Sequence, residues 1–233
     1  MKRLAPTLAP AVTFAFAFAL IAAPVLAETA KSPNLDPAAV SRPGPVARLY
    51  LAQELFFQGL AEKDALALIQ SARMMDRVGI IETPDRIPVA SGKALKTGAP
   101  PPVPFPGAKA TLETAEYLAQ GDDTALGLID EARAEAAVPR GAVRRSVSQL
   151  APGGTDTWTL AFYGGAPAEL AVLGNGQSTL SITVADENAG SPCATIAAED
   201  RLYCRFTPLE NGNFTVTVTN PGKGVEAYML VTN

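Results

Sequence analysis

The chain of 233 residues has no histidine, and this absence excludes more chemistry than any other. Without imidazole there is no Ser-His-Asp or Cys-His catalytic pair, no HExxH zinc site and no proton shuttle whose ordinary pKa lies near neutrality. Cysteine is almost as scarce. Cys193 and Cys204 are the two, and their spacing is not that of a CxxC redox site. Beyond the first 27 residues no apolar run is long enough to span a bilayer. Basic residues number 19 against 23 acidic ones, so there is no cationic surplus with which to hold nucleic acid. Hydrophobic residues at 48% and charged ones at 18% also exclude a disordered acidic chain and a polytopic membrane protein. No motif calls for a cofactor.

What is present begins with Met1-Lys2-Arg3, an apolar run over residues 11–23 and the small-residue end Val25-Leu26-Ala27. This is the pattern of a secretory signal peptide, residues 1–27, cleaved near Ala27. No cysteine follows it directly, so a lipid anchor is not expected. Removing Lys2 and Arg3 leaves 17 basic against 23 acidic residues, a balance of −6. Export to the periplasm or the medium makes a Cys193–Cys204 disulfide the expected state, as a structural staple. Residues 28–44 are small, polar and Pro-punctuated, and read as a flexible leader.

Over residues 45–150 the apolar pattern reads as helical, and after Pro152-Gly153-Gly154 it becomes period-two, which sets a domain boundary. A first helix is expected from Pro45 to about Gln58, ahead of Gly59. A second runs from about Lys63 to Val78, with Ala65, Leu68, Ile69, Ala72 and Met75 on one stripe. The hairpin recurs: the run from Glu54 to Gly59 matches that from Glu116 to Gly121, and Ala65, Ile69 and Ala72 match Ala125, Ile129 and Ala132. Two copies packed face to face are expected. The Ala-Ile-Ala spacing behind a glycine resembles the second helix of a tetratricopeptide repeat, although the Trp-Leu-Gly signature of the first helix is absent. The plainer alternative is a small helical bundle whose stripe is its core. Between the copies, residues 84–106 include Pro100-Pro101-Pro102 and Pro104 and read as a stiff, polyproline-type connector. Ser91-Gly92-Lys93 has the composition of a Ser/Lys hydrolase pair, without an oxyanion-hole signature.

From Asp156 onward, alternation is sustained. Trp158, Leu160 and Phe162 alternate with polar or small neighbours, as do Leu180, Ile182 and Val184, then Leu202, Cys204 and Phe206, then Phe214, Val216 and Val218. A last strand covers about Val225 to Thr232. Turn signals at Gly164-Gly165, Gly174-Asn175-Gly176, Asn188-Ala189-Gly190, Asn211-Gly212 and Pro221-Gly222 separate them. Short strands with one buried face mean an antiparallel two-sheet sandwich or a barrel. The expected fold class is therefore α+β as separate domains, helical hairpins over 45–150 and a β-sandwich over 152–233.

The order of Trp158, the run Leu180 to Gly190, Phe206-Thr207-Pro208, Gly212, the run Phe214 to Asn220 and Tyr228 resembles the bacterial pre-peptidase C-terminal domain. The resemblance covers essentially the C-terminal third. It implies a β-sandwich of the kind appended to secreted proteases and other exported proteins, generally non-catalytic and concerned with targeting, solubility or ligand contact. Some members bind calcium through an acidic run. Here Gln177-Ser178-Thr179 stands in its place, and Asp186, Glu187 and Asn188 are the remaining oxygen donors, in a cluster that more commonly marks a solvated turn.

Together these features predict an exported, non-enzymatic binding or adaptor protein. Its helical face, drawn from Tyr50, Phe57, Tyr117, Arg140, Arg144 and Arg145, would contact a protein or peptide partner in the cell envelope, with the sandwich as an accessory. Three readings compete with it: an accessory to a secreted hydrolase, a structural envelope component, and a hydrolase working through Asp122 and Asp123 or Asp186 and Glu187. Sequence-adjacent carboxylates are usually turn charges, whereas a catalytic pair needs a cleft and opposed faces.

Overall fold

The computed structural model describes residues 31–233 except 40, 93–94, 96–104, 136–137, 176–178 and 194–195. The secretory signal, the start of the leader, Lys93, Gln177-Ser178 and most of the Pro-rich run lie outside the described residues.

Two helical hairpins form where the periodicity places them: α1 (Pro45–Glu62) with α2 (Ala65–Asp76), and α3 (Ala108–Leu118) with α4 (Asp123–Ala134). Each second helix starts on an aspartate cap. Asp64 accepts from the Leu66 and Ala67 amides at 2.8 and 3.2 Å, and Asp122 accepts from Thr124 and Ala125 at 3.0 Å each. The stripe residues Ile69, Ala72, Ala125, Ile129 and Ala132 are all buried, so the stripe is core. The two repeated glycines do different work. Gly121 sits in the α3–α4 turn at φ +88°, whereas Gly59 is inside α1, which continues to Glu62 and ends on Lys63 in the left-handed region. A Cβ on Gly59 would lie 2.9 Å from Leu68 Cδ2, so the glycine permits close approach of α1 and α2 rather than ending the helix.

Ten strands follow the same chain: β1 (Gly79–Glu82), β2 (Val89–Ser91), β3 (Ala142–Leu150), β4 (Thr155–Phe162), β5 (Ala168–Gly174), β6 (Leu180–Asp186), β7 (Ile196–Glu199), β8 (Arg201–Phe206), β9 (Gly212–Thr219) and β10 (Glu226–Thr232). They form two five-stranded sheets. The first has the order β1-β3-β10-β5-β8 and the second β2-β4-β9-β6-β7. Every pairing is antiparallel except β1 with β3.

Between the sheets lie Trp158, Leu160, Ile182, Phe214 and Val216 of the second and Leu170, Val172, Leu202, Tyr228 and Leu230 of the first. On the other face of the first sheet, Val143, Ala171, Leu173, Met229 and Val231 share a core with Leu49, Phe56, Leu68, Ile69 and Ile129 of the helices. The order is therefore helices, sheet, sheet, in three layers. Burying a Leu or Ile side chain in either core contributes roughly 1.5–3 kcal/mol.

This arrangement corrects the expectation of separate domains. Lys31–Asn233 is one compact unit. Residues 142–150, expected to be helical, are strand β3, and β1 and β2 also lie on the helical side of the expected boundary while belonging to the sheets. The boundary at 152 falls in the turn joining β3 to β4. The connector expected over 84–106 includes β2, which pairs Val89, Ala90 and Ser91 with Thr157, Asp156 and Thr155. No helix among the described residues is long and apolar enough to cross a membrane. Cys193 and Cys204 are joined in a disulfide with Cα atoms 5.8 Å apart, and Cys204 faces the inter-sheet core.

Two glycine substitutions should act with opposite sign. Gly127 is a helix-interior position with nothing within 4 Å of an added Cβ, so Gly127→Ala should raise stability by about 1 kcal/mol. Gly59→Ala should instead cost about 1–3 kcal/mol, because Leu68 is fully buried and has no room to yield. Denaturant unfolding of both variants checks the pair. Replacing both cysteines with alanine, which opens a loop of 11 residues, should cost about 3 kcal/mol in the same measurement.

Candidate functional site

The sandwich has one lateral edge, where β1 and β3 lie over β2 and β4, whose inner lining is polar. On β3 the residues on the side of the second sheet run Arg144, which is exposed, then Ser146, Ser148 and Leu150, apolar only at the last. Across from Ser148 is Asp156, the second residue of β4, and beside Arg144 in the same sheet is Thr232, the last residue of β10. The segment over residues 83–88 crosses this edge from the first sheet to the second. Thr83 fixes its start, donating its amide to the Arg145 carbonyl at 2.9 Å and sharing a 2.8 Å bond with the Ser146 hydroxyl. The Arg86 amide then closes a turn on the Thr83 carbonyl at 3.1 Å, and its guanidinium donates to Thr232 Oγ1 at 3.2 Å.

A connected polar chain marks the border between this edge and the apolar core. The Trp158 indole N–H donates to Tyr228 Oη at 2.7 Å. Tyr228 donates to Asp156 Oδ2 at 2.6 Å, and Ser148 donates to the same oxygen at 2.6 Å. Asp156 is only 2% exposed. Burial, and after it the adjacent Asp156 carboxylate, push the Tyr228 phenol well above its ordinary value. Arg86 is shifted the other way, lowered by burial and by the nearby Arg144 guanidinium. Among the described residues neither Arg86 nor Arg144 has an ion-pair partner, whereas Arg145 pairs with Glu82.

Three concavities meet along this edge. One of about 340 Å3 is floored by Ser148 and Asp156 under Arg86, Ile87 and Pro88. A second of about 350 Å3 lies between Glu82, Arg86 and Arg145. A third of about 220 Å3 opens between the helices and the first sheet, walled by Leu49, Met75, Phe105 and Met229 with Asp76 and Arg145 among its lining residues. Burial, with Glu135 second, raises the Asp76 carboxyl above its usual range. Around the edge stand four exposed apolar side chains: Ile80 at 38%, Ile81 at 51%, Ile87 at 79% and Val89 at 74%.

The six residues expected to form an interaction face are not brought together. Tyr50 is half-buried with its ring 5.7 Å from that of Tyr203 on β8, and Phe57 is half-buried beneath the Arg201 guanidinium at 4.8 Å. Both therefore pack toward the first sheet. Tyr117 is 71% exposed on α3, Arg140 is exposed just before β3, and Arg144 and Arg145 lie on β3 at the edge described above. Sequence reasoning missed Arg86 and Asp156. The signal available for Asp156 was a charge standing in register with Trp158, Leu160 and Phe162 on the buried face of its strand.

The carboxylates considered for hydrolysis or calcium are engaged structurally. Asp122 is the α4 cap and Asp123 lies in the first turn. Asp186 Oδ1 accepts the Asn188 and Gly190 amides at 2.8 and 2.6 Å, and its Oδ2 accepts the Asn34 amide. Glu187 accepts from Asn213 Nδ2, and Asn188 Nδ2 donates to the Ser32 carbonyl. Asp186 thus ties the segment following Lys31 to the β6–β7 turn. No group of three or more acidic or cysteine side chains among the described residues is arranged to hold a metal ion.

No family model matches the chain, and no curated protein matches it. Among solved structures, the pre-peptidase C-terminal domain of a Bacillus anthracis collagenase aligns over 38% of this chain and 87% of its own at 15% identity, with a TM-score of 0.30. A periplasmic inhibitor of g-type lysozyme from Aeromonas hydrophila aligns over 39% and 84% at 13% identity and 0.29. A Yersinia pseudotuberculosis-derived mitogen aligns over 39% and 84% at 11% identity and 0.26. Likeness of this size carries no argument about function.

The raised phenols give a testable sign. Tyr228, and Tyr203 whose burial and bond to Glu169 act in the same direction, hold their protons in the folded state above the ordinary value of 10.0. Their contribution to stability is complete below that pH and is lost as pH rises toward the folded values. Phenolate absorbance should therefore show two of the five tyrosines ionising only together with unfolding, whereas five tyrosines titrating in the folded protein would contradict it. Tyr228→Phe should cost about 1–3 kcal/mol, because it leaves the Trp158 N–H unpaired and takes a donor from Asp156.

Proposed function

We propose that the protein is an exported, non-enzymatic binding or adaptor protein whose protein or peptide partner docks on the sandwich edge between β1 and β2. The observation that carries this reading is the composition of that edge. Ile81, Ile87 and Val89 are more than half exposed beside Arg86 and Arg144, neither of which has an ion pair among the described residues. Edge strands offer unpaired backbone groups, and an extended segment adds to them by main-chain hydrogen bonds while neighbouring side chains give selectivity. The positive charges of Arg86 and Arg144 favour a segment carrying acidic as well as apolar residues.

Support for the non-enzymatic part comes from each candidate pair having one member held structurally, Asp122 as a helix cap and Asp186 by backbone amides, where hydrolysis would need both free. Export is supported by the Cys193–Cys204 disulfide and the secretory pattern of residues 1–27. The helical half contributes the frame of the edge, since α2 leads through Arg77 and Val78 straight into β1.

Affinity capture from an envelope extract, with crosslinking, tests the reading. The mature protein should retain a reproducible partner that is lost with Ile81→Lys or Arg144→Glu and kept with Tyr117→Ala on α3. Retention that depends on Tyr117 and ignores the edge, or no retained partner, would refute it. Both edge positions are solvent-facing, so neither change should lower stability by more than about 0.5 kcal/mol.

A further inference from the structure

The turns β4–β5, β6–β7 and β8–β9 gather at one end of the sandwich. The inter-sheet core finishes there in Phe162, the last residue of β4, Phe206, the last of β8, and Phe214, near the start of β9. Residues 31–37 cross this end as neither helix nor strand. On the β6–β7 turn, Asp186 accepts the Asn34 amide and Asn188 Nδ2 donates to the Ser32 carbonyl at 2.9 Å. On the β8–β9 turn, the Asn34 side chain donates to the Glu210 carbonyl at 3.0 Å and accepts the Glu210 amide at 2.8 Å, and the Asp36 amide donates to the Thr207 carbonyl at 2.9 Å. Leu35, between these fastenings, is half-buried against the core. Two glycines make room for the segment. A Cβ on Gly190 would stand 2.6 Å from Pro33 Cβ, and one on Gly212 would stand 2.8 Å from Asn34 Nδ2, with its next neighbour among the described residues at 3.9 Å. Gly212 is not in the left-handed region, so its close approach to Asn34, and not its backbone conformation, is what glycine serves there.

We propose that residues 31–37 form a latch that seals the aromatic end of the inter-sheet core and opens as a unit of its own while the rest of the fold stays closed. The turns beneath it are held without it. Asp186 Oδ1 accepts the Asn188 and Gly190 amides, the Cys193–Cys204 disulfide ties the β6–β7 connection to β8, and Asn211 Oδ1 accepts the Gly164 amide. The segment itself offers Leu35 as its half-buried apolar side chain and no ladder of backbone pairs, the features of a region that opens below the free energy of global unfolding. Opening uncovers Phe206, which lines one recess together with Leu35. Strands β7 and β8 close the side of the sheets opposite β1 and β2, so the latch works independently of partner docking along the other edge.

Native-state hydrogen exchange followed by NMR tests the latch. The Asp36 amide, whose bond to Thr207 no variant below alters, reports the segment, and the interior amides of β9 and β10, which are paired on both sides, report the sandwich. In the unaltered protein the Asp36 amide should exchange more slowly than in an unstructured peptide and at least about a hundredfold faster than the sandwich amides. Gly212→Ala should speed the Asp36 amide at least about tenfold by displacing the doubly bonded Asn34 side chain. The same change should leave the sandwich amides as they are or slow them, because alanine restricts the unfolded chain. Asn34→Ala should speed the Asp36 amide by a similar factor, and Gly212→Ala added to it should then change nothing further. Asn34→Ala alone carries the test if Gly212→Ala fails to fold. An Asp36 amide that exchanges with the sandwich, or as fast as an unstructured peptide, overturns the proposal. So does one indifferent to Asn34→Ala, or a variant that speeds the sandwich amides equally.

Discussion

Strands β5 and β10 meet water on neither face, and the placement of the helices follows from the need to cover one of them. With Ala171, Leu173, Met229 and Val231 turned away from the second sheet, the first sheet would present a continuous apolar surface. The helices supply the cover, and buried polar contacts set where they lie. Glu169 on β5 accepts the amide of Gly44 at the α1 N-terminus, where a carboxylate meets the positive end of the helix dipole, and also the Tyr203 hydroxyl. Two turns further along α1, the fully buried Gln53 donates to the Gly174 carbonyl at the other end of β5 at 2.7 Å. One helix is thus fastened to both ends of one strand, and α2 is fastened to α1 through the Ser71 hydroxyl on the Ala52 carbonyl.

The other core loses its apolar character toward the lateral edge where β1 and β3 face β2 and β4. Phe162, Phe206 and Phe214 stack with ring centroids 4.6 to 5.7 Å apart in its interior, and the Trp158–Tyr228 pair joins the core to the buried Asp156. On β3, next to that edge, the inward positions are Arg144, Ser146 and Ser148. Small hydroxyl side chains leave space where leucine would fill it, and the segment over 83–88 crosses that space instead of sealing it. Cavities, the guanidiniums of Arg86 and Arg144 and exposed isoleucines gather here because this is where close packing stops.

Alternation told strands from helices wherever one face was wet. Strands β4, β6, β8 and β9 were legible for that reason, as was β10 by its position after a turn. Strand β5 was not, because Ala168 to Gly174 is buried on both faces and its run shows no period. Strand β3 was absorbed into the helical half because Arg144, Arg145 and Gln149 break its apolar alternation near the edge. The repeat of the two hairpins was real in its stripe and misleading in its glycine, since identical residues at Gly59 and Gly121 answer to helix contact in one case and turn geometry in the other. Of the site, Arg144 and Arg145 were legible as a basic pair. Arg86 and Asp156 acquire meaning only when the crossing segment brings residues far apart in sequence to one cavity.

Strand β10 lies in the middle of its sheet, between β3 and β5, yet it comes after every other strand in chain order. A chain delivered from its N-terminal side therefore presents both hairpins, with Leu68 and Ile129 bare, long before the surface that covers them exists. Neither hydrophobic core can close on a fragment that stops short of Glu226. The order of emergence and the order of assembly run in opposite senses, so the earliest residues to appear are among the last to be protected from aggregation and proteolysis.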